Sequence, residues 1–352
     1  MVTEVHWPSL LAQLLAGEDL DEDTAADVMG ALMRGDAESA QVAGLLIALR
    51  AKGEAPSEIA GFVRAMQAEA VPLELDPSLR AGLVDIVGTG GDGAGTFNIS
   101  TVASLVVAAA GVSVAKHGNR AASSRCGSAD LLEAWGVVIE LPPAAVAACL
   151  AETGITFLYA RSFHPAMRHV APVRLQLGVR TVFNVLGPLS NPAAVPFQAV
   201  GVADARLAPV MAEALARLGR RHALVFRGED GLDELTTTGP SRMWEVRDGQ
   251  VTASRFEPSD LGLATARPGD LAGGDAATNV AIADAVLGGT PGPAADIVAL
   301  NAATGLVAAG AVEDLAAGLA RAQEVLRSGA ALDLKQRWVA TTRALAARDH
   351  GG

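Results

Sequence analysis

Residues up to about 75 carry apolar positions at helical spacing only. Leu10, Leu11, Leu14 and Leu15 form one stripe, Val28, Met29, Leu32 and Met33 a second, and Val42, Leu45, Leu46 and Leu49 a third. Steps of three and four put each set on one side of a helix. Gly53 reads as a stop, and Ser57-Glu58 as the start of a helix carrying Ile59, Phe62, Val63 and Met66. These stripes are read as core packing.

From about residue 82 the pattern changes. Short apolar runs at 83–87, 112–115, 137–141, 155–159, 197–202 and 223–226 read as strands, with helical segments between several of them. That alternation is the mark of parallel strands joined by crossover helices. Residues 243–251, with Asp248-Gly249 at the turn, read as a hairpin. The Gly-, Pro- and Asp-rich stretch 258–275 reads as a loop within the domain, and the chain from about Ala276 is again helical and Ala-rich. The expected fold class is α/β, with a small all-helical domain at 1–80 and a large α/β domain with a mainly parallel central sheet at 81–352. No internal repeat is visible.

Polar chemistry gathers in two loops around one apolar segment. The first opens Gly88-Thr89-Gly90-Gly91-Asp92-Gly93 directly after the 83–87 run. Glycines let a backbone approach phosphate oxygens with no Cβ between them. A helix is expected from about Ile99 through Gly111. Its N-terminal amides and dipole favour anions, and Thr96, Asn98, Ser100 and Thr101 add donors there. The loop is neither a Walker A motif nor a G-x-G-x-x-G fingerprint, since no Gly-Lys-Ser/Thr closes it and the glycine spacing is wrong. Taken singly it is as readily a tight turn.

The second loop shifts that balance. Lys116-His117-Gly118-Asn119-Arg120 sets two cations and an amide around a glycine, and Ser123, Ser124, Gly127 and Ser128 follow. The chain has only three lysines, Lys52, Lys116 and Lys335, and one of them lies here. Singly, Lys116 would be a solvated charge and His117 a bonded structural histidine; together with the glycines and serines they read as an anion site.

Composition narrows the classes. The chain has 352 residues, half of them hydrophobic but only 4% aromatic, so its core is built from Ala, Val and Leu. A net charge of -12 argues against nucleic acid and acidic membranes as partners, while leaving room for a local cation cluster of Lys116, Arg120 and Arg174. Cys126 and Cys149 have no metal-like context, and a reduced, cytoplasmic setting is the simple expectation. The start has no signal-peptide pattern, and no apolar run is long enough to span a bilayer.

D-I-V-G-T-G-G-D-G-A-G-T-F-N-I-S-T, followed by V-A-K-H-G-N-R-A-A-S-S-R-C-G-S-A-D-L-L, resembles the anthranilate phosphoribosyltransferases. The resemblance continues through His164 to Arg168, Val173-Arg174, Leu177 to Leu189, Gly231 to Glu234, Thr238 to Pro240, Gly274 to Ala277 and Leu300 to Ala303. It spans nearly the whole chain.

The resemblance implies a fold of the nucleoside phosphorylase and phosphoribosyltransferase type. It adds residues 168–190 to the helical domain and implies a homodimer through that domain. It implies transfer of the phosphoribosyl group of 5-phosphoribosyl 1-pyrophosphate to the amine of anthranilate, with Mg²⁺. By motif position the donor falls to Gly88, Gly91, Asp92, Thr96, Asn98, Ile99, Ser100 and Thr101, and to Lys116, His117, Gly118, Asn119, Arg120, Ala121, Ala122, Ser123, Ser124 and Ser128. Anthranilate falls to Gly88, Asn119 and Arg174, and the catalytic residues to Lys116, Asn119 and Arg174. Asp233 and Glu234, a pair that would otherwise read as solvated surface, take the metal with Ser100. His164 and Tyr159 are expected either to line the acceptor channel or to pack as structural residues.

The sequence departs from the family pattern twice: Arg227 replaces a histidine and Arg161 a proline. Neither position is an expected ligand, but both leave room for a different aromatic acceptor. A non-catalytic sensor of a phosphoribosyl ligand is the reading from another class, and the retained Asp233, Glu234, Ser100 and Lys116 argue against it.

Overall fold

The computed structural model describes residues 5–121 and 125–349. Four helices come first: α1 (Trp7–Leu15), α2 (Glu22–Arg34), α3 (Ser39–Lys52) and α4 (Pro56–Ala68). Asp21 caps α2 by accepting the Thr24 N–H at 2.7 Å, and Gly35 closes it in the left-handed region. The fully buried Glu58 accepts the N–H groups of Leu20 and Ala55 at 3.0 and 2.8 Å and the Lys52 ammonium at 3.1 Å. One carboxylate thus ties the α1–α2 and α3–α4 connections together.

The chain then runs through α5 (Pro77–Arg80), β1 (Val84–Gly88), α6 (Ile99–Ala109), β2 (Val114–Gly118), α7 (Ser128–Trp135), α8 (Pro143–Thr153) and β3 (Ile155–Tyr159). Next come α9 (Ala160–Phe163), α10 (Ala171–Leu177), α11 (Phe183–Leu189), β4 (Phe197–Gly201), α12 (Leu207–Arg217) and β5 (His222–Gly228). Two antiparallel strands, β6 (Ser241–Arg247) and β7 (Gln250–Phe256), precede α13 (Ala276–Leu287), α14 (Pro293–Ala308), α15 (Leu315–Ser328) and α16 (Ala330–Asp349).

Among the described residues seven strands lie in the order β3-β2-β1-β4-β5-β6-β7, parallel through β5. The chain winds outward from β1 to β2 and β3, then returns to place β4 on the other side of β1. The winding direction therefore switches between β1 and β4, where Gly88 and Gly201 stand side by side at the carboxyl ends. Open α/β sheets bind ligands beyond such a switch.

Helices cover both faces. On one, α6 and α13–α16 pack with β1 and β2; α14 is buried all round from Ile297 to Ala308, as an apolar helix without a polar stripe must be. On the other, apolar residues of α1–α4, of 170–189 and of α12 share one core with Val200 and Val225 of the sheet. The N-terminal helices are thus continuous in packing with that face.

The strand expected at 137–141 does not form. Val137, Ile139 and Leu141 are buried in alternation, as a strand would have them, but among the described residues no strand lies alongside. Instead α16 covers the segment, with the Val138 N–H donating to Thr342 Oγ1 at 3.2 Å and Arg343 Nε to the Gly136 carbonyl at 3.0 Å. Alternating burial reports extended backbone and says nothing of a hydrogen-bonded neighbour.

Candidate active site

The switch crevice opens into a cavity of about 910 Å³. The glycine loop after β1, the start of α6, the loop after β2 and the 160–188 segment line it, and Asp233-Glu234 form its floor.

Asp233 sits between two strand ends. A Cβ on Gly88 would overlap its carboxylate and a Cβ on Gly201 its backbone carbonyl, so both positions must be glycine for it to enter. Its Oδ2 accepts the Gly90 N–H at 2.6 Å. Glu234 Oε1 accepts the Ser100 N–H at 3.1 Å, in the first turn of α6, where amides and dipole favour an anion. The backbone beyond is held by Asn301 of α14, which exchanges hydrogen bonds of 2.9 Å with both the N–H and the carbonyl of Leu235.

Burial pushes the Asp233 carboxyl up to about 7, with the charge of Asp92 acting the same way. Glu234 is raised by burial and by the Asp233 charge, and is lowered by Lys116. Two crowded, desolvated carboxylates with few donors call for a cation. The second oxygen of Glu234 has no protein donor among the described residues. Among the described residues no group of three His, Cys, Asp or Glu has metal-holding geometry, and the floor offers a pair of carboxylates. That suits Mg²⁺, which keeps waters and takes substrate phosphate oxygens.

Lys116 is buried, its ammonium donating to the Ile86 carbonyl at 2.5 Å. Burial lowers its pKa, while Asp85 and Glu234 raise it. Asp85 accepts the His117 N–H at 3.2 Å and an Asn191 amide proton at 2.8 Å. His117 Nδ1 donates to the Gly187 carbonyl at 3.0 Å; a carbonyl can only accept, so Nδ1 carries the proton. Burial, then His164, pulls His117 down to about 3, leaving a neutral ring whose buried Nε2 has no partner among the described residues.

Arg174 stands in the 160–188 part of the lining. Its guanidinium lies 5.0 Å over the Phe183 ring and pairs with no carboxylate among the described residues. Burial lowers its pKa. A half-buried cation without a counter-ion, in a chain of net charge -12, is a ready seat for an anionic ligand.

Every expected site residue within the described chain lines this cavity; the expectation for Ala122, Ser123 and Ser124 falls outside the described residues. Several also have structural work. Asn98 donates to the Cys126 carbonyl and accepts from Asn279. Arg120 is paired with Glu133 and donates to the Tyr159 hydroxyl at 3.1 Å. Ser128 Oγ donates to the Asn119 carbonyl at 3.2 Å, and Asp92 accepts the Ala94 N–H at 3.0 Å. His164 lines the cavity and donates to the Ser190 carbonyl, whereas Tyr159 is buried behind it.

Sequence profiles described as "Glycosyl transferase family, helical bundle domain" and "Glycosyl transferase family, a/b domain" match residues 8–70 and 80–332. The anthranilate phosphoribosyltransferase of Salinispora arenicola (strain CNS-205) is 52% identical over 347 residues, covering 97% of this chain and 98% of that one. This chain belongs to the anthranilate phosphoribosyltransferase family. Its fold is similar to that of the Thermus thermophilus enzyme, with a TM-score of 0.89 at 52% identity over 95% of this chain and 99% of that one. The Saccharomyces cerevisiae anthranilate phosphoribosyltransferase, solved in complex with PRPP and Mg, matches with a TM-score of 0.87 at 28% identity, over 97% and 99% of the two chains.

Within this family the two departures differ in position. Arg227 is outside the cavity lining and donates to the Ala203 carbonyl at 3.1 Å, while Arg161 is part of the lining. The sequence reading passes over Arg180, which lines the cavity and donates through both terminal nitrogens to the Gly90 carbonyl at 3.1 Å. Its only signal in the sequence is membership of the 177–189 run.

Proposed function

We propose that this protein transfers the phosphoribosyl group of 5-phosphoribosyl 1-pyrophosphate to the amine of anthranilate, releasing pyrophosphate. One observation carries the reading: a paired carboxylate floor and a guanidinium with no carboxylate partner among the described residues share one cavity in a member of this family. The carboxylates suit a metal-bound pyrophosphate, and the guanidinium suits an aromatic carboxylate.

The donor is cradled by the glycine loop and the first turn of α6, with the 116–121 loop and Ser128 on its other side. Asp233 and Glu234, with the Ser100 hydroxyl, would hold Mg²⁺, which when bound would offset the charge growing on the departing pyrophosphate. Arg174 pairs with the anthranilate carboxylate, and Asn119 orients the amine-bearing edge. The aromatic amine is neutral near pH 7, so no strong base is needed. As the C1–O bond to pyrophosphate breaks, the amine lone pair attacks the electron-deficient C1, and its surplus proton leaves to solvent or phosphate. Catalysis comes from alignment, worth up to about 7–11 kcal/mol in favourable cases, and from leaving-group stabilisation.

The helical layer, residues 1–80 with 168–190, serves in this reading as the dimer face. Leu15 at 76% and Leu175 at 84% exposure are large apolar side chains left on it. Among the described residues no helix is long and apolar enough to cross a membrane, and a cytoplasmic homodimer fits a biosynthetic enzyme of this kind. Phosphorus NMR of the protein with both substrates tests the activity. One pyrophosphate per anthranilate consumed is expected, and pyrophosphate formed without anthranilate loss would overturn it.

A further inference from the structure

The glycine loop has few internal ties: the Thr89 hydroxyl donates to the Gly90 carbonyl at 3.3 Å and the Ala94 N–H to Asp92 Oδ1 at 3.0 Å. Gly90, Gly91, Gly93 and Gly95 all stand at positive φ, between +65° and +74°. Such a run has many accessible conformations and loses much entropy when one is fixed. Its ends are pinned: the Thr89 N–H donates to the Gly201 carbonyl at 2.9 Å, and the Gly273 N–H to the Gly95 carbonyl at 2.8 Å. Just past the first end, Arg180 reaches across from the segment between α10 and α11 and forks both terminal nitrogens onto the Gly90 carbonyl. The guanidinium occupies the space of a Gly91 Cβ. The same Gly90 offers its N–H to Asp233 Oδ2 at 2.6 Å. One glycine is thus gripped by its carbonyl from the acceptor side of the cavity and grips the floor carboxylate with its amide.

We propose that Arg180 is a positioning residue for Asp233: by fixing Gly90 it aims that carboxylate at the metal-bound pyrophosphate of the donor. This rests on the functional reading above. Arg180 acts through the loop, and the acceptor end of the cavity, built around Arg174 and Phe183, does not depend on its charge. Removing it leaves the Gly90 carbonyl, among the described residues, with only the Thr89 hydroxyl at 3.3 Å, so the backbone at Gly90 can turn and the donor then meets a carboxylate held less firmly.

Calorimetric titration of the full-length protein with 5-phosphoribosyl 1-pyrophosphate, at a series of Mg²⁺ concentrations and without acceptor, tests this. Arg180→Ala is expected to bind the donor at least about tenfold more weakly and to need more Mg²⁺ for half-maximal binding, as befits the loss of a two-pronged, charge-assisted contact. Arg180→Lys, which keeps the charge and one donor, recovers part of the loss and is the variant to use if the alanine form does not fold. The KM for anthranilate and the melting temperature stay near those of the unaltered protein. Unaltered donor affinity and Mg²⁺ requirement in Arg180→Ala would overturn the role, as would equal losses for donor and acceptor with a large fall in melting temperature. If the unaltered protein does not bind the donor at all, it is the functional reading that fails.

Discussion

The Asp233 carbonyl oxygen occupies the space that a Cβ on Gly201 would fill. The floor carboxylate therefore stands where it does because two neighbouring strands end in glycine. Gly201→Ala keeps a permitted backbone conformation, so the strain falls on Asp233. Overpacking of this kind costs about 1–3 kcal/mol of stability. The larger effect expected is on donor binding, with the half-activating Mg²⁺ concentration raised by roughly tenfold or more if Asp233 shifts by even an ångström. Steady-state titration with Mg²⁺ at saturating anthranilate reads this directly; an unchanged Mg²⁺ requirement would refute it.

Arg174 lies over the Phe183 ring with no counter-ion among the described residues. Arg174→Ala should raise the KM for anthranilate by about ten- to a hundredfold, the loss of a charged hydrogen bond of roughly 1.5–3 kcal/mol, with little change for the donor. Equal effects on both substrates would remove its carboxylate-binding role.

The raised pKa of Asp233 has a pH signature. Protons compete with a metal for a carboxylate, so the Mg²⁺ requirement grows as pH falls through the raised value. With Asp233 near 7, the half-activating Mg²⁺ concentration should rise about tenfold from pH 8 to pH 6. His117, held down to about 3, stays neutral across that range and adds nothing to the limb. A Mg²⁺ requirement independent of pH would contradict the buried, crowded floor.

Lys116 answers two buried carboxylates at once. Lys116→Met should weaken the donor and also destabilise the fold at neutral pH by about 1–3 kcal/mol, since the Ile86 carbonyl loses its donor and Asp85 and Glu234 lose a nearby positive charge. Both carboxyls are raised above their ordinary values, Asp85 to about 6. The folded state then holds their protons more tightly than the unfolded one, so the deficit shrinks as pH falls from 7 through 6 toward 4. Urea denaturation at pH 7 and pH 5 measures the difference; a gap that widens in acid would be contrary.

Much of this site is legible in the sequence because its ligand-facing parts are local. The glycine run, the Lys116–Arg120 loop and the start of α6 are contiguous stretches whose residue types declare the chemistry. Asp233-Glu234 and Arg174 are less so: an acidic pair and a lone arginine are ordinary on a surface, and only the resemblance singles them out. The long-range contacts are silent. Nothing in the string shows that Asn301 will hold the backbone at Leu235, or that Arg180 will reach Gly90, since both depend on the return of the chain across the switch. Residues 137–141 fail in the opposite sense, having the alternation of a strand and no partner. Lys116 is in the right place for an unexpected reason, as a buried counter-charge and not an exposed cation.

Loss of anthranilate fluorescence on addition of 5-phosphoribosyl 1-pyrophosphate, with and without Mg²⁺, tests the central claim most directly. A loss that requires Mg²⁺ and is abolished in Asp233→Asn is expected. Fluorescence that persists with both substrates and Mg²⁺ present, while calorimetry still detects donor binding, would contradict anthranilate as the acceptor.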